Sequence, residues 1–171
     1  EIILKNPGGF PYQQIDEKFK GTNRDISFSD DSINNLLYTK CGSGDILLVM
    51  SILYPWADLK NHFHIDHMFP KSLFTRKRIQ KLGVPDNQAD FYIDNVNYIG
   101  NLQLLEELPN KEKNNTEFKT WLEQNYADAD KLKAYREKHY IPDVGVEFTN
   151  FEEFFLEREK LLVKALKAAL I

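Results

Sequence analysis

Apolar positions three and four residues apart predict that most of this chain is helical. The clearest such helix begins at Asn150 and runs to the end of the chain with one apolar face. That face is formed by Phe151, Phe155, Leu162 and Leu166. The other predicted helices contain residues 33–37, 45–53, 72–82, 118–122 and 128–140. The pattern therefore favours a mainly α protein in which little of the chain is left for a sheet.

Two short segments alternate in character and predict β-strands. The first runs from His62 to Asp66, and Phe69-Pro70 turns the chain out of it. The second runs from Tyr98 to Leu105 and follows a polar stretch, residues 86–97, that we expect to be a loop. The opening residues 6–11 are rich in turn formers and predict an irregular lead-in. We therefore expect an α+β fold that is mostly α.

The composition allows one substantial core. Of 171 residues, 42% are hydrophobic, which suits a single domain. The chain starts at Glu1 without the features of a secretion signal, so we expect a fragment of a larger protein. The longest apolar stretch, residues 46–54, is too short to span a bilayer, and we expect no membrane segment. Cys41 is the only cysteine, which excludes an internal disulfide and paired-cysteine zinc knuckles and fits a cytoplasmic setting.

The charge is unevenly spread. A formal net charge of -4 argues against a generally basic surface for nucleic acid. One stretch without acids is nevertheless cationic. It contains Lys71, Arg76, Lys77, Arg78 and Lys81. Such a run is usually a solvated helix face, and it could also contact phosphate.

Three of the four histidines, His62, His64 and His67, surround Asp66. Alternate residues of a strand share a face, so His62, His64 and Asp66 should point the same way. The loop after the strand could then turn His67 toward them. Imidazoles beside a carboxylate suit a divalent cation. A polar strand with solvated or hydrogen-bonded histidines explains the same residues equally well.

A second motif lies downstream, where Gly100-Asn101-Leu102 is followed by Asn110 and Lys113. Asp66-His67-Met68-Phe69-Pro70 resembles the Asp-His-Ile-x-Pro signature of HNH (His-Me finger) nucleases. Asn101 and the Asn110-x-x-Lys113 pattern resemble the second and third elements of that family. Over roughly residues 45–125 the chain is more closely similar to the C-terminal HNH domain of GmrSD-type modification-dependent restriction endonucleases.

The resemblance implies a fold and an activity. It implies a ββα-metal core of two strands and a helix over residues 45–125, embedded in a helical domain. Residues 1–44 would be an irregular and helical lead-in and residues 126–171 C-terminal helices, within one domain. The implied activity is metal-dependent hydrolysis of DNA phosphodiester bonds by a one-metal mechanism, as the cleavage domain of a restriction or phage-defence system. The implied partners are DNA and an N-terminal nucleotide-hydrolysing domain or subunit.

The same resemblance assigns the chemistry at the centre of the motif. His67 would be the general base, because imidazole can accept a proton from water near neutral pH. Asp66 and Asn110 would offer oxygen ligands to Mg²⁺ or Mn²⁺. His64 stands where several relatives have an acid, and could be a third ligand or a phosphate contact. Asn101 would bridge the two strands and fix the orientation of the His67 ring.

Phosphate contacts are expected from cationic side chains near the motif. Lys113, one turn beyond Asn110, could hold a backbone phosphate. More peripheral contacts are expected from Lys71, Arg76, Lys77 and Arg78.

Two other functions remain open from the sequence. One is a degenerate HNH fold that binds nucleic acid or a protein partner without cutting, and the full set of His67, Asn101, Asn110 and Lys113 argues against it. The other is a metal hydrolase of small phosphoesters. Against it, the sequence offers neither a further acid cluster for a second metal nor a glycine-rich phosphate cradle. The acidic net charge keeps both alternatives open.

Overall fold

Helices make up most of the part of the chain that the structure describes. The computed structural model describes residues 12–22, 28–57 and 62–171, so the lead-in expected over residues 6–11 lies outside it. The helices are α1 (Tyr12–Phe19), α2 (Asp30–Leu36), α3 (Ile46–Leu53), α4 (Arg76–Lys81), α5 (Asp86–Asn95), α6 (Glu107–Lys113), α7 (Phe118–Asn125), α8 (Ala129–Lys138) and α9 (Phe151–Leu170). Short 3-10 turns lie at Lys71–Leu73, Ile99–Asn101 and Phe148–Asn150. No described helix is both long and apolar enough to cross a membrane.

The described strands form one antiparallel pair. β1 (Phe63–His67) and β2 (Leu102–Glu106) are in a register that places Asp66 opposite Gln103. α6 follows β2 directly and packs against both strands. A two-stranded sheet within a helical protein confirms the predicted fold class, α+β and mostly α.

Polar side chains start several helices, as the sequence indicates. The Ser29 hydroxyl accepts the backbone N–H of Ser32 at 3.1 Å before α2. The Asp128 carboxylate accepts the N–H of Lys131 at 2.9 Å before α8. These oxygens satisfy N–H groups of the first turn, which have no partner within the helix.

The strands differ from the prediction at their ends. β1 is shifted by one residue, so that His67 is its last residue and not part of the following loop. The first part of the predicted second strand, Ile99–Asn101, is a 3-10 turn in which the Asn101 N–H donates to the Tyr98 carbonyl at 2.9 Å. A backbone group used inside that turn cannot pair in a sheet, so β2 begins only at Leu102.

Two helix predictions were wrong in detail. The loop expected over residues 86–97 is mostly α5, whose buried residues are Ala89 and Tyr92. With only two buried residues, α5 has too few apolar positions to show a helical periodicity in the sequence. The helix expected over residues 72–82 is split into a 3-10 turn and α4, and α4 begins only after Thr75.

The long helix α9 packs against two hydrophobic clusters. Its first half contributes Phe151, Phe154 and Phe155 to an aromatic cluster, and its second half contributes Leu162 and Leu166 to an aliphatic one. Other members of the aromatic cluster are Phe69, Phe74, Phe118 and Trp121. Other members of the aliphatic cluster are Ile33, Val49, Met50 and Leu104. The strand pair thus rests on α9 through the residues at the start of β2.

Close packing at that point requires glycine. A Cβ built on Gly100 would lie 2.4 Å from the Phe155 ring, well inside van der Waals contact. The Arg158 guanidinium of α9 donates to the carbonyls of Ile99 at 2.9 Å and Leu102 at 2.7 Å. Both contacts hold the entry to β2 against α9, and they fix the strand that carries one side of the site.

Candidate active site

The carboxylate of Asp66 lies near the end of β1, and only 10% of its side chain is exposed. Gln103 of β2 donates from Nε2 to Asp66 Oδ2 at 2.9 Å. Lys113 of α6 places its Nζ 2.9 Å from the same oxygen. Both contacts fall on Oδ2, so Oδ1 has no hydrogen-bond partner within the described ranges. The two donors fix the carboxylate and leave one oxygen able to bind a cation.

Lys113 is completely buried, with no exposed side-chain surface. Its Nζ also donates to the backbone carbonyl of His67 at 2.6 Å. Burial lowers the pKa of Lys113, and the neighbouring Asp66 carboxylate opposes that shift. We expected this side chain to hold a phosphate. The structure instead places it beneath two consecutive residues of β1, where it ties α6 to the strand.

The His67 ring is held by an asparagine that the sequence did not single out. His67 Nε2 lies 3.1 Å from Asn97 Oδ1. A carbonyl oxygen only accepts, so this contact favours the tautomer with the proton on Nε2, in which Nδ1 keeps its lone pair. Burial lowers the pKa of His67, and this effect is larger than the opposing effects of Asn97 and Asp66. The ring is therefore neutral and presents an acceptor nitrogen.

Asn97 belongs to none of the sequence motifs, so the sequence did not single it out. It lay at the end of the expected loop, where asparagine is common. The structure places it just after α5, and its backbone carbonyl accepts the N–H of Cys41 at 2.8 Å. That contact fixes the segment from which the side chain reaches His67. A correct prediction of α5, which ends two residues before Asn97, would have drawn attention to this position.

Asn101 is fully buried, and within the described ranges its side chain bonds to backbone groups alone. Its Oδ1 accepts the N–H of Phe69 at 2.9 Å, and its Nδ2 donates to the carbonyls of Val96 at 2.9 Å and Phe69 at 3.2 Å. The side chain thus bridges the chain after β1 to the chain before β2. The expected contact with the His67 ring is made by Asn97 instead. Asn101 shapes the turn that follows His67.

The other two expected ligands are nearer to solvent. Asn110 lies on α6 three residues before Lys113, so the two share the side of the helix that faces Asp66. His64 is exposed and shares a strand face with Asp66. Neither side chain makes a hydrogen bond with a described residue. Both therefore have free donor atoms beside the carboxylate.

The oxygen donors of Asp66 and Asn110 fit the chemistry of Mg²⁺ or Mn²⁺, hard cations that keep several waters of their own. His64 would add a nitrogen donor and favour Mn²⁺. No group of three or more His, Cys, Asp or Glu side chains that could hold a metal occurs in the described parts of the chain. A cation here would depend on the amide of Asn110 and on water, which suits a weakly held ion.

The chain is similar to one family of proteins. Residues 14–160 match the family model described as the C-terminal domain of GmrSD restriction endonucleases. The chain belongs to this family. The matched segment contains every residue of the candidate site, and the resemblance drawn from the motifs is confirmed. No curated protein matches the chain.

The cationic run of this family member divides into paired and unpaired side chains. Arg76 forms an ion pair with Asp90, and Arg78 donates from Nη1 to the Ser72 carbonyl at 2.6 Å. Lys71 is exposed, and its charge contributes to the lowered pKa of His67, which shows that it lies close to the site. Lys77 is exposed on α4. Lys71 is thus the cation of this run whose influence on the His67 ring is evident.

Proposed function

We propose that this chain is a metal-dependent DNA endonuclease domain, the cleavage part of a restriction or phage-defence system. The observation that supports it most is the pairing of two neighbouring groups at the end of β1. Asp66 has one oxygen fixed and one free, and His67 is held as a neutral ring with Nδ1 available. Family membership agrees with this activity. The whole chain would form one domain, with the site in residues 45–125.

His67 acts as the general base. Its Nδ1 accepts a proton from the attacking water, while Nε2 donates to Asn97 and keeps the ring in one tautomer. The positive charge that develops on the ring lies beside the Asp66 carboxylate, which stabilises it. The base thus needs no movement of the strand to become charged.

Asp66 Oδ1 and the Asn110 amide oxygen would hold Mg²⁺ or Mn²⁺, with His64 as a third ligand or a phosphate contact. A bound divalent cation supplies positive charge to the scissile phosphate and to the departing 3′ oxygen. Gln103 and Lys113 keep Asp66 oriented through its other oxygen. Asn101 acts at a distance by holding the turn after His67.

Phosphates flanking the scissile bond would be bound by surface cations and not by Lys113, which is buried. Lys71 is exposed and its charge acts on the His67 ring, and α4 presents Arg76, Lys77 and Arg78 on the surface. Contacts of this kind position a duplex without selecting a sequence. Selectivity would then come from the proposed N-terminal nucleotide-hydrolysing partner.

Plasmid cleavage tests the proposal. The 171-residue chain is incubated with supercoiled plasmid and Mg²⁺ or Mn²⁺, with a chelator as control. We expect nicked or linear product only with the metal. His67→Ala should cut roughly 10²–10⁴-fold more slowly, as is typical for loss of a general base. His62→Ala is the matched control, because His62 is exposed just before β1 and has no assigned role.

A non-cutting binding module is the alternative, and the acidic net charge with the ion pair already present at Asp66 favours it. Plasmid that stays intact at all metal concentrations, while the chain still retards it in a gel, would establish the alternative. Cleavage by His67→Ala at the parental rate would remove His67 from the mechanism.

A further inference from the structure

A cleft of about 340 Å³ opens beside the candidate site. One wall is formed by β2 and the start of α6, and the other by α8. Aromatic and aliphatic side chains dominate its surface, and two lysines lie at its edge. Its principal residues are Trp56, Leu104, Tyr126, Tyr135, Lys131 and Lys138. Ligand sites of small molecules commonly have volumes of about 300–1,000 Å³.

The aromatic side of the cleft is a stack of rings. The centroids of Tyr126 and Tyr135 are 4.3 Å apart with an angle of 29° between the planes. His139 continues the stack, 4.3 Å from Tyr135. Burial lowers the pKa of His139 to about 3, so this ring is neutral. The stack ends in Tyr126, which is only partly buried and offers a ring to a flat ligand.

The opposite end of the cleft combines a ring with a cation. Trp56 is 42% exposed, which is a large fraction for tryptophan, because this large apolar side chain is usually buried. Lys138 places its Nζ 3.7 Å from the centre of that ring, a cation–π contact. Lys131 lies two turns earlier on α8 and is also exposed. Apolar walls with two cations at the edge match an aromatic ligand joined to an anion.

The cleft is connected to the candidate active site through side chains. The Tyr135 hydroxyl donates to Gln103 Oε1, and Gln103 Nε2 donates to Asp66 Oδ2. On the other wall Pro109 directly precedes Asn110. A ligand against Tyr135 is therefore connected to Asp66 through two residues, Tyr135 and Gln103.

We propose that this cleft binds an unpaired nucleobase of the substrate strand, next to the phosphate that is cleaved. The base would stack on Tyr126, or on Trp56 where it would replace Lys138 over the ring. Lys131 and the displaced Lys138 would contact the phosphate of the same nucleotide. Glu106, exposed at the edge, would accept a hydrogen bond from an exocyclic amino group. This proposal rests on the proposed nuclease function, because the base would belong to the DNA strand that is cleaved at Asp66.

A base is favoured over other aromatic ligands by the charge at the edge. Every base has a flat face for stacking on an aromatic ring, and every nucleotide carries a phosphate that a lysine can meet. An aromatic side chain of a protein partner has no such anion attached. The position next to Asp66 also suits a nucleotide of the strand being cut.

The test measures binding without cleavage. The 171-residue chain is titrated, with a chelator present, into a single-stranded oligonucleotide carrying one 2-aminopurine, whose fluorescence is quenched when it stacks. We expect quenching on binding. Trp56→Leu and Tyr126→Leu should each weaken binding about tenfold, the loss typical of one stacking contact. Lys131→Glu should weaken it as well.

Two matched controls change residues of the same types outside the cleft. Lys133→Glu changes an equally exposed lysine on α8 that does not line the cleft, and Tyr38→Leu removes an exposed ring elsewhere. Both should bind like the parent. Binding without quenching, or parental affinity in Trp56→Leu, Tyr126→Leu and Lys131→Glu together, would overturn the proposal. A free deoxynucleotide that binds as tightly as the oligonucleotide would also overturn it, since the ligand would then not be the strand.

The two proposals can fail separately. If the chain binds the oligonucleotide through the cleft and cuts no plasmid with any metal, the nuclease function fails and the base site stands. If it cuts plasmid and the cleft variants bind and cut like the parent, the base site fails and the nuclease function stands.

Discussion

Two fully buried cations, Lys113 and Arg158, sit in contrasting surroundings. Lys113 meets the carboxylate of Asp66 and one backbone carbonyl, that of His67. Arg158 meets no carboxylate among the described residues and donates instead to the carbonyls of Ile99, Leu102 and His139. The first belongs to the candidate active site, and the second joins α9 to the start of β2.

The difference follows from the geometry of the two head groups. A guanidinium has five N–H donors in a planar fork and can bind several carbonyls from separate segments at once. An ammonium is a compact charge and suits a single carboxylate. Burial lowers the pKa of both side chains, so each is held at a cost in free energy. Despite this cost, Arg158 stabilises the fold, and Lys113 orients the Asp66 carboxylate.

The largest expected effect is on stability, from Arg158→Met. The substitution keeps the apolar stem and leaves the carbonyls of Ile99, Leu102 and His139 without these donors. We expect the free energy of unfolding to fall by about 3–5 kcal/mol. Urea denaturation followed by circular dichroism measures it. Lys164→Met, an exposed change on α9, should stay within about 0.5 kcal/mol of the parent, and equal stability of the two variants would contradict the role given to Arg158.

A smaller effect, on cleavage, is expected from Lys113→Met. Asp66 would keep only Gln103, and the orientation of its free oxygen would be lost. We expect the cleavage rate to fall about 10- to 100-fold, as for other residues that orient metal ligands.

DNA affinity distinguishes this role from the phosphate contact that the sequence suggested. A lysine that neutralises a phosphate contributes to the salt dependence of binding. For Lys113→Met, binding measured with a chelator should keep the parental salt dependence, whereas Lys71→Met should reduce it. A reduced salt dependence in Lys113→Met would mean that Lys113 leaves its buried position to meet DNA.

The smallest effect is expected from Asn97→Ala, which removes a single hydrogen bond to the His67 ring. We expect cleavage to slow about tenfold, because the ring can then adopt the other tautomer. Nitrogen chemical shifts of His67 measured by NMR report the tautomer directly and should change. Asn95→Ala, which removes an amide that donates to the Phe91 carbonyl, is the control. Unchanged His67 shifts in Asn97→Ala would exclude the positioning role.

Much of the fold could be predicted because its signals are local. The apolar face of α9 repeats at helical spacing, and serine or aspartate caps mark the starts of α2 and α8. α5 was missed because only Ala89 and Tyr92 are buried along it, which leaves too few apolar positions for a period. Its helical state depends on what those two side chains meet in the aromatic cluster.

The sequence by itself determined which chemical groups the site contains. Asp66 and His67 are consecutive in the chain, so the sequence itself keeps the two groups close, and the order strand, strand, helix follows from local patterns. Only the tertiary structure decided what surrounds them. Lys113 lies 46 residues from His67 and Asn97 lies 30 residues from it, and these distances are closed by packing that no local pattern encodes. A lysine in a polar segment is expected to lie in solvent. Lys113 is buried because α6 packs against β1 and β2. The Asp66 carboxylate offsets part of the free-energy cost of removing the lysine charge from water.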